Sequence, residues 1–356
     1  MPSFRRRKNE ESFMLALQKT EPAFGLHYRD RPQPESPSRG EVIVAVGATG
    51  VCGTDIHIYE WTGGYDIMKP ALPVTIGHEF AGTVAAIGTG VQGVKEGMRV
   101  AVRPSVVCGH CPNCRAGNSD NCTQRKGIGV TRDGALASHV RVPVENCVRV
   151  PQTMPIEIAA LSEPMTVCAE AVDNASIRPG DRVLVLGPGN IGQGAALFAR
   201  AAGAAVIIVG KDDAVRLATL RRMGFADTVD IGNRSFEEAL GEHLAKGKFD
   251  AVIEATGVPS AVQQGLDALK KRGIFVAVGI QSAPVMVNLT RLVREHQQIR
   301  GSYRAPLATW QRVVDFLAKN ADMAREMISH RLPLEKAIEG LELSRTKAAS
   351  KVMVVQ

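Results

Sequence analysis

From Pro179 onward the chain alternates between short strand-like runs and helical segments, and this alternation constrains the fold more than any other feature. The strand-like runs, in order, are RVLVLG, AVIIVG, TVDI, DAVIEAT, GIFVAVG and IRGSYR. Most of them are separated by segments rich in Ala, Leu and Arg that are long enough for a helix. Strands that alternate with helices form βαβ units, in which a crossover helix joins two parallel strands. Six such strands predict an α/β fold with a doubly wound parallel sheet.

The first of these runs leads into GPGNIG, which places Gly187, Gly189 and Gly192 in a G-x-G-x-x-G arrangement. The motif is weak alone, but here it follows a strand and opens a helix, which is its context in Rossmann domains. There the glycines permit a tight turn and let a pyrophosphate approach the helix N-terminus. The alternative is a glycine-rich turn that binds nothing, and we favour the dinucleotide site. The other residues that we predict to contact the cofactor in this region are Ile191, Val278 and Ser302.

The first half of the chain has a different texture, with many Gly and Pro residues between short β-type runs. The runs EVIVAVGATGV, EFAGTVAAIG and MRVAV predict a small barrel-like β domain. Near the C-terminus, the run KVMVVQ predicts a strand that returns to this first domain. We therefore predict a β-rich domain of residues 1–165 and 306–356 and a dinucleotide-binding domain of residues 166–305.

Four of the seven cysteines fall in one short stretch, CGHCPNCRAGNSDNC, as Cys108, Cys111, Cys114 and Cys122. Four thiolates can close a tetrahedral shell around Zn²⁺, and a closed shell is structural because no position is left for a substrate. A redox pair needs only one C-x-x-C in a thioredoxin-like βαβ setting, whereas this stretch lies in the β-rich half. Iron–sulfur clusters use other spacings, and a nucleic-acid-binding knuckle needs basic and aromatic neighbours. We predict a structural zinc site, with His110 as an alternative ligand.

A second set of potential ligands is dispersed over three motifs. GVCGTDIHIYEW contains Cys52, Thr54, Asp55 and His57, TIGHEFAG contains His78 and Glu79, and LSEPMTVCAEAV contains Glu163. One thiolate, one imidazole and one carboxylate make a three-ligand site with an open fourth position, which is typical of catalytic zinc. Singly, each residue has another explanation, since a buried cysteine is usually a small apolar side chain and Glu163 can begin a helix. Their combination with a dinucleotide fold favours a catalytic metal site.

Together these motifs make the chain resemble the zinc-dependent medium-chain alcohol dehydrogenases. The matching pieces are GVCGTDIH, GHEFAGTV, the four-cysteine stretch, EP at 163–164 and GPGNIG, which cover almost the full length in the family's order. The resemblance implies a chaperonin-10-like, β-rich catalytic domain and a Rossmann domain, with the active site in the cleft between them. It also implies that Cys52, His78 and Glu79 hold a catalytic zinc and that Glu163 sits at the open side. Two zinc ions per subunit, one catalytic and one structural, are therefore expected.

The expected chemistry is reversible hydride transfer between a secondary alcohol and a nicotinamide cofactor. The resemblance assigns Thr54 and His57 to the relay that removes the proton, since a hydroxyl passes a proton on and an imidazole accepts it near neutral pH. Asp55 is expected to orient a ligand histidine through its ring N–H. The alternative for Thr54 and Asp55 is capping of the turn that follows Gly53.

Two substrate classes remain open. CGTDIHIYEW, IGVTRDGA and IRGSY resemble L-threonine 3-dehydrogenases, but those enzymes usually continue the Glu/Asp-Pro motif with Gly-Asn, where this chain reads EPMTVCAEAV. That version resembles the sorbitol-type branch, so we favour a polyol, a sugar alcohol or a related vicinal hydroxy compound over threonine. The alternative of another class is a non-catalytic dinucleotide-binding protein, which loss of zinc ligands would support, but no expected ligand is missing.

The choice between NAD and NADP is expected to depend on the end of the second strand, in AVIIVGKDDAVRL. NAD-binding folds carry an acidic residue there for the ribose hydroxyls. Aligned as in polyol dehydrogenases, this position is Lys211, whose cation would pair with a 2′-phosphate, with Arg216 as a second contact. We therefore favour NADP. In a register shifted by one residue, Asp212 would hold the ribose instead.

The formal net charge of +7 is not arranged as a basic stripe with interleaved aromatics, so we expect no nucleic-acid partner. A basic balance also suits an enzyme that handles anionic dinucleotides. No apolar run has the roughly 18 residues of a membrane helix, and the basic start MPSFRRRKNEESF lacks the apolar centre of a secretory signal. We expect that start to be a solvated tail. Clustered cysteines, odd in number, argue for a reducing compartment, so a cytoplasmic protein is predicted. The resemblance to the zinc-dependent family, whose members often form dimers or tetramers, implies a homodimer or homotetramer.

Overall fold

The computed structural model describes residues 12–356, so most of the predicted solvated tail lies outside the described residues. Its strands are β1 (Phe13–Lys19), β2 (His27–Pro32), β3 (Glu41–Gly50), β4 (Val74–Thr75), β5 (Glu79–Ile87), β6 (Arg99–Val102), β7 (Ser105–Val106), β8 (Lys126–Gly127), β9 (His139–Pro143), β10 (Cys147–Arg149), β11 (Arg182–Leu186), β12 (Ala205–Gly210), β13 (Thr228–Asp230), β14 (Phe249–Glu254), β15 (Leu269–Ala277), β16 (Gln298–Gly301), β17 (Ile328–Pro333) and β18 (Lys351–Val355). Its helices are α1 (Gly53–Glu60), α2 (Pro112–Arg115), α3 (Ile156–Ala160), α4 (Ser162–Asn174), α5 (Asn190–Ala201), α6 (Ala214–Arg222), α7 (Phe236–Ala245), α8 (Pro259–Ala268), α9 (Leu289–Glu295), α10 (Leu307–Lys319), α11 (Ala321–Arg325) and α12 (Ala337–Arg345). Short 3₁₀ segments cover Asp66–Ala71, Ser119–Asn121, Val144–Asn146 and Leu334–Lys336.

The β-rich part is built around a seven-stranded sheet in the order β10-β6-β5-β3-β18-β17, with β9 also paired to β3. In its long central strand β3, Val42, Val44 and Val46 alternate with Ile43 and Ala45, and these three valines are buried against the side chains of β5 and β6. The last strand, β18, pairs antiparallel with β3, with Met353 opposite Gly50. The prediction that the C-terminal run returns to the first domain is therefore confirmed.

The second sheet has six parallel strands in the order β13-β12-β11-β14-β15-β16. Numbered from β11, this order is 3-2-1-4-5-6, which is that of a dinucleotide-binding Rossmann sheet. Its strands carry near-continuous Val, Ile and Leu because helices cover both faces. The predicted doubly wound sheet is confirmed.

The chain divides into two compact units. The first contains the described residues up to Ala160, together with Arg331–Glu342 and Met353–Gln356; the second contains Leu161–His330 and Leu343–Val352. Helix α10 belongs to the second unit, where it packs against α4 and where Arg312 pairs with Asp173. Our predicted division assigned this helix to the first domain, so the structural units and the predicted domains differ over it.

Within residues 12–356, no helix combines the length and the apolar character needed to cross a membrane.

Candidate functional site

The four clustered cysteines bring their sulfur atoms together. Every pair of these sulfurs lies within 4.8 Å, with 3.9 Å between Cys108 and Cys114 and 4.0 Å between Cys111 and Cys122. These distances are too long for disulfides, and all four cysteines are free. In a tetrahedral site with Zn–S bonds of about 2.3 Å, neighbouring sulfurs are about 3.8 Å apart. The spacing therefore fits a zinc ion held by four thiolates.

Backbone amides of the same loop stabilise the thiolate forms. The N–H of Cys111 donates to the sulfur of Cys108 at 3.3 Å, and the N–H of Cys108 donates to the sulfur of Cys122 at 3.4 Å. Hydrogen bonds from the backbone of Cys114 and Thr123 lower the pKa of the Cys111 thiol to about 5. Burial and hydrogen bonds with the neighbouring cysteines raise the pKa of the Cys114 thiol to about 12. The backbone amides therefore favour the thiolate, the form in which cysteine binds metal, at some of the four positions and not at all of them.

His110 is not among the clustered ligand atoms. Its Nδ1 contacts the carbonyl of Cys108 at 2.8 Å, and its Nε2 contacts the side chain of Gln124 at 2.9 Å. The ring nitrogens therefore have partners inside the loop, and the structure gives no support to His110 as an alternative ligand. Arg103, which is buried, anchors the loop through an ion pair of 2.8 Å with Asp120.

The second potential metal site consists of Cys52, His78 and Glu79, whose ligand atoms all lie within 4.8 Å of one another. Strand pairing brings them together, because Gly50 at the end of β3 lies opposite Glu79 at the start of β5. Cys52 follows two residues after β3, as the residue that precedes α1. His78 and Glu79 are both buried, which keeps bulk water from the ligand atoms.

Asp55 lies beneath this cluster and is fully buried. Its Oδ2 accepts a hydrogen bond from the backbone N–H of Cys52 at 2.9 Å, and its Oδ1 is 3.6 Å from Nδ1 of His78. Oδ1 of Asp55 and Nδ1 of His78 have no hydrogen-bond partner among the described residues. Such a pair of buried polar atoms is the arrangement expected of a carboxylate that orients a metal-bound histidine.

The charges and the burial of the cluster formed by Cys52, His78 and Glu79 favour binding of a cation. Burial raises the pKa of the Cys52 thiol, and the charge of Glu79 raises it further. Burial opposes the charged form of His78, but the neighbouring Asp55 and Cys52 outweigh it and raise the histidine pKa well above its usual value. A bound divalent cation reverses this balance, since it favours both the thiolate and the neutral imidazole. The donor set therefore fits zinc.

Thr54 and His57 lie on α1, but they contact different partners. The side chain of Thr54 lies close enough to the hydroxyl of Tyr65 to lower its pKa, but burial has the larger effect and raises it. Nδ1 of the exposed His57 lies 2.9 Å from the hydroxyl of Thr62, and its ring stacks on Tyr65 with 6.3 Å between centroids. Sequence reasoning missed Tyr65, because the chain between Trp61 and His78 carries no motif that marks it.

Glu163 lies in the second unit, in the first turn of α4, where its carbonyl accepts a hydrogen bond from Thr166. A carboxylate in the first turn also interacts favourably with the helix dipole, which agrees with the alternative interpretation that Glu163 begins a helix. Its placement at the open side of the metal site remains a prediction.

The glycine fingerprint has the geometry that a pyrophosphate site requires. Gly187 has φ of +105°, in the left-handed region that favours glycine, and a Cβ at Gly192 would lie 1.8 Å from the carbonyl oxygen of Gly187. Gly189 caps α5, and a Cβ there would meet nothing within 4 Å. The N-terminus of α5 is therefore open to an anionic ligand. Ile191 follows in the first turn of this helix.

The other predicted cofactor residues follow the carboxyl ends of neighbouring strands, where doubly wound sheets bind ligands. Val278 comes directly after β15, and its N–H donates to the carbonyl of Glu254. Ser302 comes directly after β16, is buried, and accepts a hydrogen bond from Asn174 at 3.1 Å. Lys211 comes directly after β12 and is exposed.

Arg216 is held by the protein itself. Its guanidinium pairs with the buried Asp213 at 3.2 Å and donates to the carbonyls of Ala349 and Ser344. Because these partners already bind the guanidinium of Arg216, the structure does not support the prediction that Arg216 makes a second contact to a 2′-phosphate. Asp212 has φ of +51°, and its N–H donates to Asp230 at 3.0 Å.

Glu254, at the carboxyl end of β14, is a second residue that sequence reasoning missed. The carboxylate is fully buried and accepts hydrogen bonds from the backbone N–H groups of Thr256 and Gly257 and from the side chain of Gln281. It fixes the loop whose Thr256 borders Gly187. The only signal in the sequence is an acidic residue that ends an apolar strand.

The chain is similar to known dehydrogenases over nearly its whole length. A family model described as an alcohol dehydrogenase GroES-like domain matches residues 38–152, and one described as a zinc-binding dehydrogenase matches residues 190–319. An L-threonine 3-dehydrogenase from Idiomarina loihiensis is 32% identical over 344 residues, which are 96% of this chain and 99% of the relative. A sorbitol dehydrogenase from Halalkalibacterium halodurans is 33% identical over 345 residues, with the same coverage.

Among solved structures, a protein from Sinorhizobium meliloti 1021 described as a zinc-binding dehydrogenase, bound to NADP, matches with a TM-score of 0.87 and 31% identity. The match covers 97% of this chain and 100% of that chain. Together with the GroES-like match, it confirms the predicted fold class, a chaperonin-10-like domain with a Rossmann domain.

Proposed function

The chain belongs to the zinc-dependent medium-chain dehydrogenases, in their polyol and threonine branch, and we propose that it acts on a polyol, a sugar alcohol or a related vicinal hydroxy compound. It is a zinc-containing alcohol dehydrogenase that uses a nicotinamide cofactor. The cluster of Cys52, His78 and Glu79 carries the assignment to a zinc-dependent enzyme, and the sequence EPMTVCAEAV, which lacks the Gly-Asn pair usual in threonine dehydrogenases, favours the polyol class. Three such ligands leave a fourth position open for the substrate.

We assign two zinc ions to each subunit. The catalytic ion is held by Cys52, His78 and Glu79, and the structural ion is held by the four clustered cysteines. The sulfur spacing of 3.9–4.0 Å supports the second assignment. The unpartnered atoms of Asp55 and His78 support the first.

Cys52, His78 and Glu79 would hold the zinc, which when bound would supply a Lewis acid that lowers the pKa of a hydroxyl, and a bound nicotinamide would supply the hydride acceptor. Asp55 holds the backbone of Cys52 and orients the ring of His78. Thr54 accepts the released proton as it gives up its own hydroxyl proton to the next group of the path, and the hydroxyl of Tyr65 lies beside it. The exposed His57 is the group that accepts the proton and releases it to water; its ring packs on Tyr65, and its Nδ1 lies 2.9 Å from the hydroxyl of Thr62.

NADP is the proposed cofactor. Lys211 supports this choice, because it is an exposed cation directly after β12 and has no ion-pair partner among the described residues. The similar structure from Sinorhizobium meliloti, which was obtained with NADP, is consistent with it. Lys211 acts without Arg216, whose guanidinium is occupied.

The substrate is tested with a panel of sorbitol, xylitol, 2,3-butanediol, L-threonine and ethanol, each with NAD and with NADP. The absorbance of the reduced nicotinamide is followed, and Cys52→Ser serves as the inactive control. We expect the highest kcat/KM for a polyol or a vicinal diol. A higher kcat/KM for L-threonine would replace this proposal with threonine 3-dehydrogenase, the name of several close relatives.

A homodimer is the proposed assembly. Among the described residues, several exposed large apolar side chains fall in the stretch of sequence that contains the edge strand β16, namely Met286, Leu289, Val293, Ile299 and Tyr303. An open strand edge with an apolar surround favours pairing with a second copy. Light scattering after gel filtration should give dimers, or tetramers built from them, and Ile299→Lys should shift the protein toward monomers. A monomeric unmodified protein would contradict this assembly.

A further inference from the structure

A cavity of about 470 Å³ lies in the first unit, and its lining residues include none of the predicted metal or cofactor residues. Its walls come from the end of β2, the turn before Gly134 and strand β9. The polar lining includes three arginines, Arg31, Arg132 and Arg141, together with Gln33 and His139. The volume is in the range of small-molecule sites, which are typically about 300–1,000 Å³.

The cavity carries an excess of positive charge. Glu41 is shared by two of the arginines, with contacts of 2.9 Å to Arg132 and 3.3 Å to Arg141. Burial of Glu41 opposes its charge, but the two guanidinium groups outweigh this and lower its pKa, so the carboxylate is ionised. Arg31 pairs with Asp133 at 3.2 Å. Three cations therefore share two carboxylates, and one positive charge is uncompensated.

The three guanidinium groups also retain hydrogen-bonding capacity. Each guanidinium has five N–H donors, yet among the described residues one nitrogen of each contacts a carboxylate. Their side chains are partly exposed, at 35% for Arg31, 26% for Arg132 and 49% for Arg141. Arginine forks match the geometry of phosphate oxygens, and their bidentate pairs are among the strongest hydrogen bonds in proteins.

We propose that this cavity binds a small phosphate monoester at a site separate from the dinucleotide. Arg31 and Arg141 hold the phosphate, and the rest of the molecule lies against Gln33 and His139, whose side chains are hydrogen-bonded to each other at 2.8 Å.

The site is connected to the metal cluster through Asp133. While Oδ2 of Asp133 contacts Arg31, its Oδ1 accepts a hydrogen bond from the backbone N–H of Thr75 at 2.8 Å. The following residues continue this pairing, since Ala135 donates to Gly77 and Leu136 donates to Ile76. A phosphate that competes with Asp133 for Arg31 therefore acts on the segment that leads into His78. This connection makes the ligand a regulator rather than a substrate.

The test is calorimetric titration of the holoenzyme, saturated with NADPH so that the dinucleotide site is filled. The probes are glycerol 3-phosphate, inorganic phosphate and succinate. The variants are Arg31→Gln/Arg141→Gln, which leaves Glu41 paired with Arg132, and Arg149→Gln, an exposed arginine on β10 that serves as the control with a matched change. Thermal unfolding verifies that each variant is folded.

We expect glycerol 3-phosphate to bind with one site per subunit, at least about tenfold more weakly in the double variant and equally well in the control. No saturable binding up to about 10 mM, or equal binding by the double variant, would overturn the site. Equal binding of succinate would overturn the assignment to phosphate. Hydrogen exchange of the Thr75 amide should change when glycerol 3-phosphate binds, and an unchanged rate would overturn the connection to the metal cluster.

Discussion

Asp55→Asn tests whether a buried carboxylate orients the catalytic zinc site. In the unmodified protein the backbone N of Cys52 lies 2.9 Å from Oδ2 of Asp55, and asparagine keeps one side-chain oxygen that can accept this hydrogen bond. It replaces the oxygen that lies 3.6 Å from Nδ1 of His78 with an NH₂ group. That group cannot accept a hydrogen from the ring nitrogen of a histidine that binds metal through Nε2, so the ring loses the partner that fixes its tautomer and orientation.

The size of the effect follows from what Asp55 does for the metal site. The substitution removes the carboxylate oxygen that lies 3.6 Å from Nδ1 of His78, a separation that is longer than a hydrogen bond. Loss of such an orienting partner typically reduces metal affinity about 10- to 100-fold, which corresponds to about 1.4–2.8 kcal/mol. We therefore expect zinc affinity at this site to fall by one to two orders of magnitude. The four-cysteine site should keep its zinc, because Asp55 lies at the other cluster.

The assay is competition for zinc between the protein and a chelator of known affinity, followed by elemental analysis. Asp55→Ala is the matched comparison, since it also leaves the N–H of Cys52 without its cap, which costs a further ~1 kcal/mol. The metal-free Asp55→Asn protein should unfold at a temperature close to that of the unmodified metal-free protein. If Asp55→Asn keeps its zinc affinity within a factor of two, Asp55 does not orient His78 and the reasoning is refuted.

Four further predictions concern separate parts of the molecule. Cys111→Ser should lose one zinc per subunit by elemental analysis and unfold at a lower temperature, because structural zinc binding contributes to folding; a variant with both zinc ions and normal stability would show that the four-cysteine assignment is wrong. Lys211→Asp should weaken NADP binding about tenfold or more in a fluorescence titration and improve NAD binding, and tighter binding of NAD than of NADP by the unmodified protein would contradict the role of Lys211. Tyr65→Phe removes the hydroxyl that contacts Thr54 and should lower kcat about tenfold or more with zinc content unchanged; an unchanged kcat would exclude Tyr65 from the proton path. Lys19 is fully buried, and burial lowers its pKa from 10.5 to about 8. Between pH 8 and 10.5 the unfolded state therefore binds more protons than the folded state, and the free energy of unfolding should rise with pH. Denaturant unfolding of Lys19→Met should lack this rise, and a pH profile identical to that of the unmodified protein would refute the prediction.

Local patterns in the sequence determined much of the fold. The alternation of strand and helix after Pro179 determined the six-stranded parallel sheet, because each βαβ unit depends on periodicities that a short window reveals. The glycine spacing determined the turn before α5, since Gly187 has a positive φ and Gly192 has no room for a side chain. The four-cysteine cluster could also be predicted from the sequence, because its members are neighbours along the chain.

The tertiary structure decided what depends on residues far apart in sequence. Cys52 meets His78 and Glu79 only because β3 and β5 pair with Gly50 opposite Glu79, and a register is set by the packing of whole strands. Without the resemblance to a family, nothing local in the sequence joins these three residues.

Side-chain partners were decided in the same way. Arg216 was predicted to contact the cofactor, yet Asp213 and two distant carbonyls hold it. Tyr65 was overlooked, yet the fold places its hydroxyl close enough to the side chain of Thr54 for that group to affect its pKa. A sequence states which groups a residue carries, but the partners of a guanidinium or a hydroxyl depend on which segments the folded chain brings within hydrogen-bonding distance.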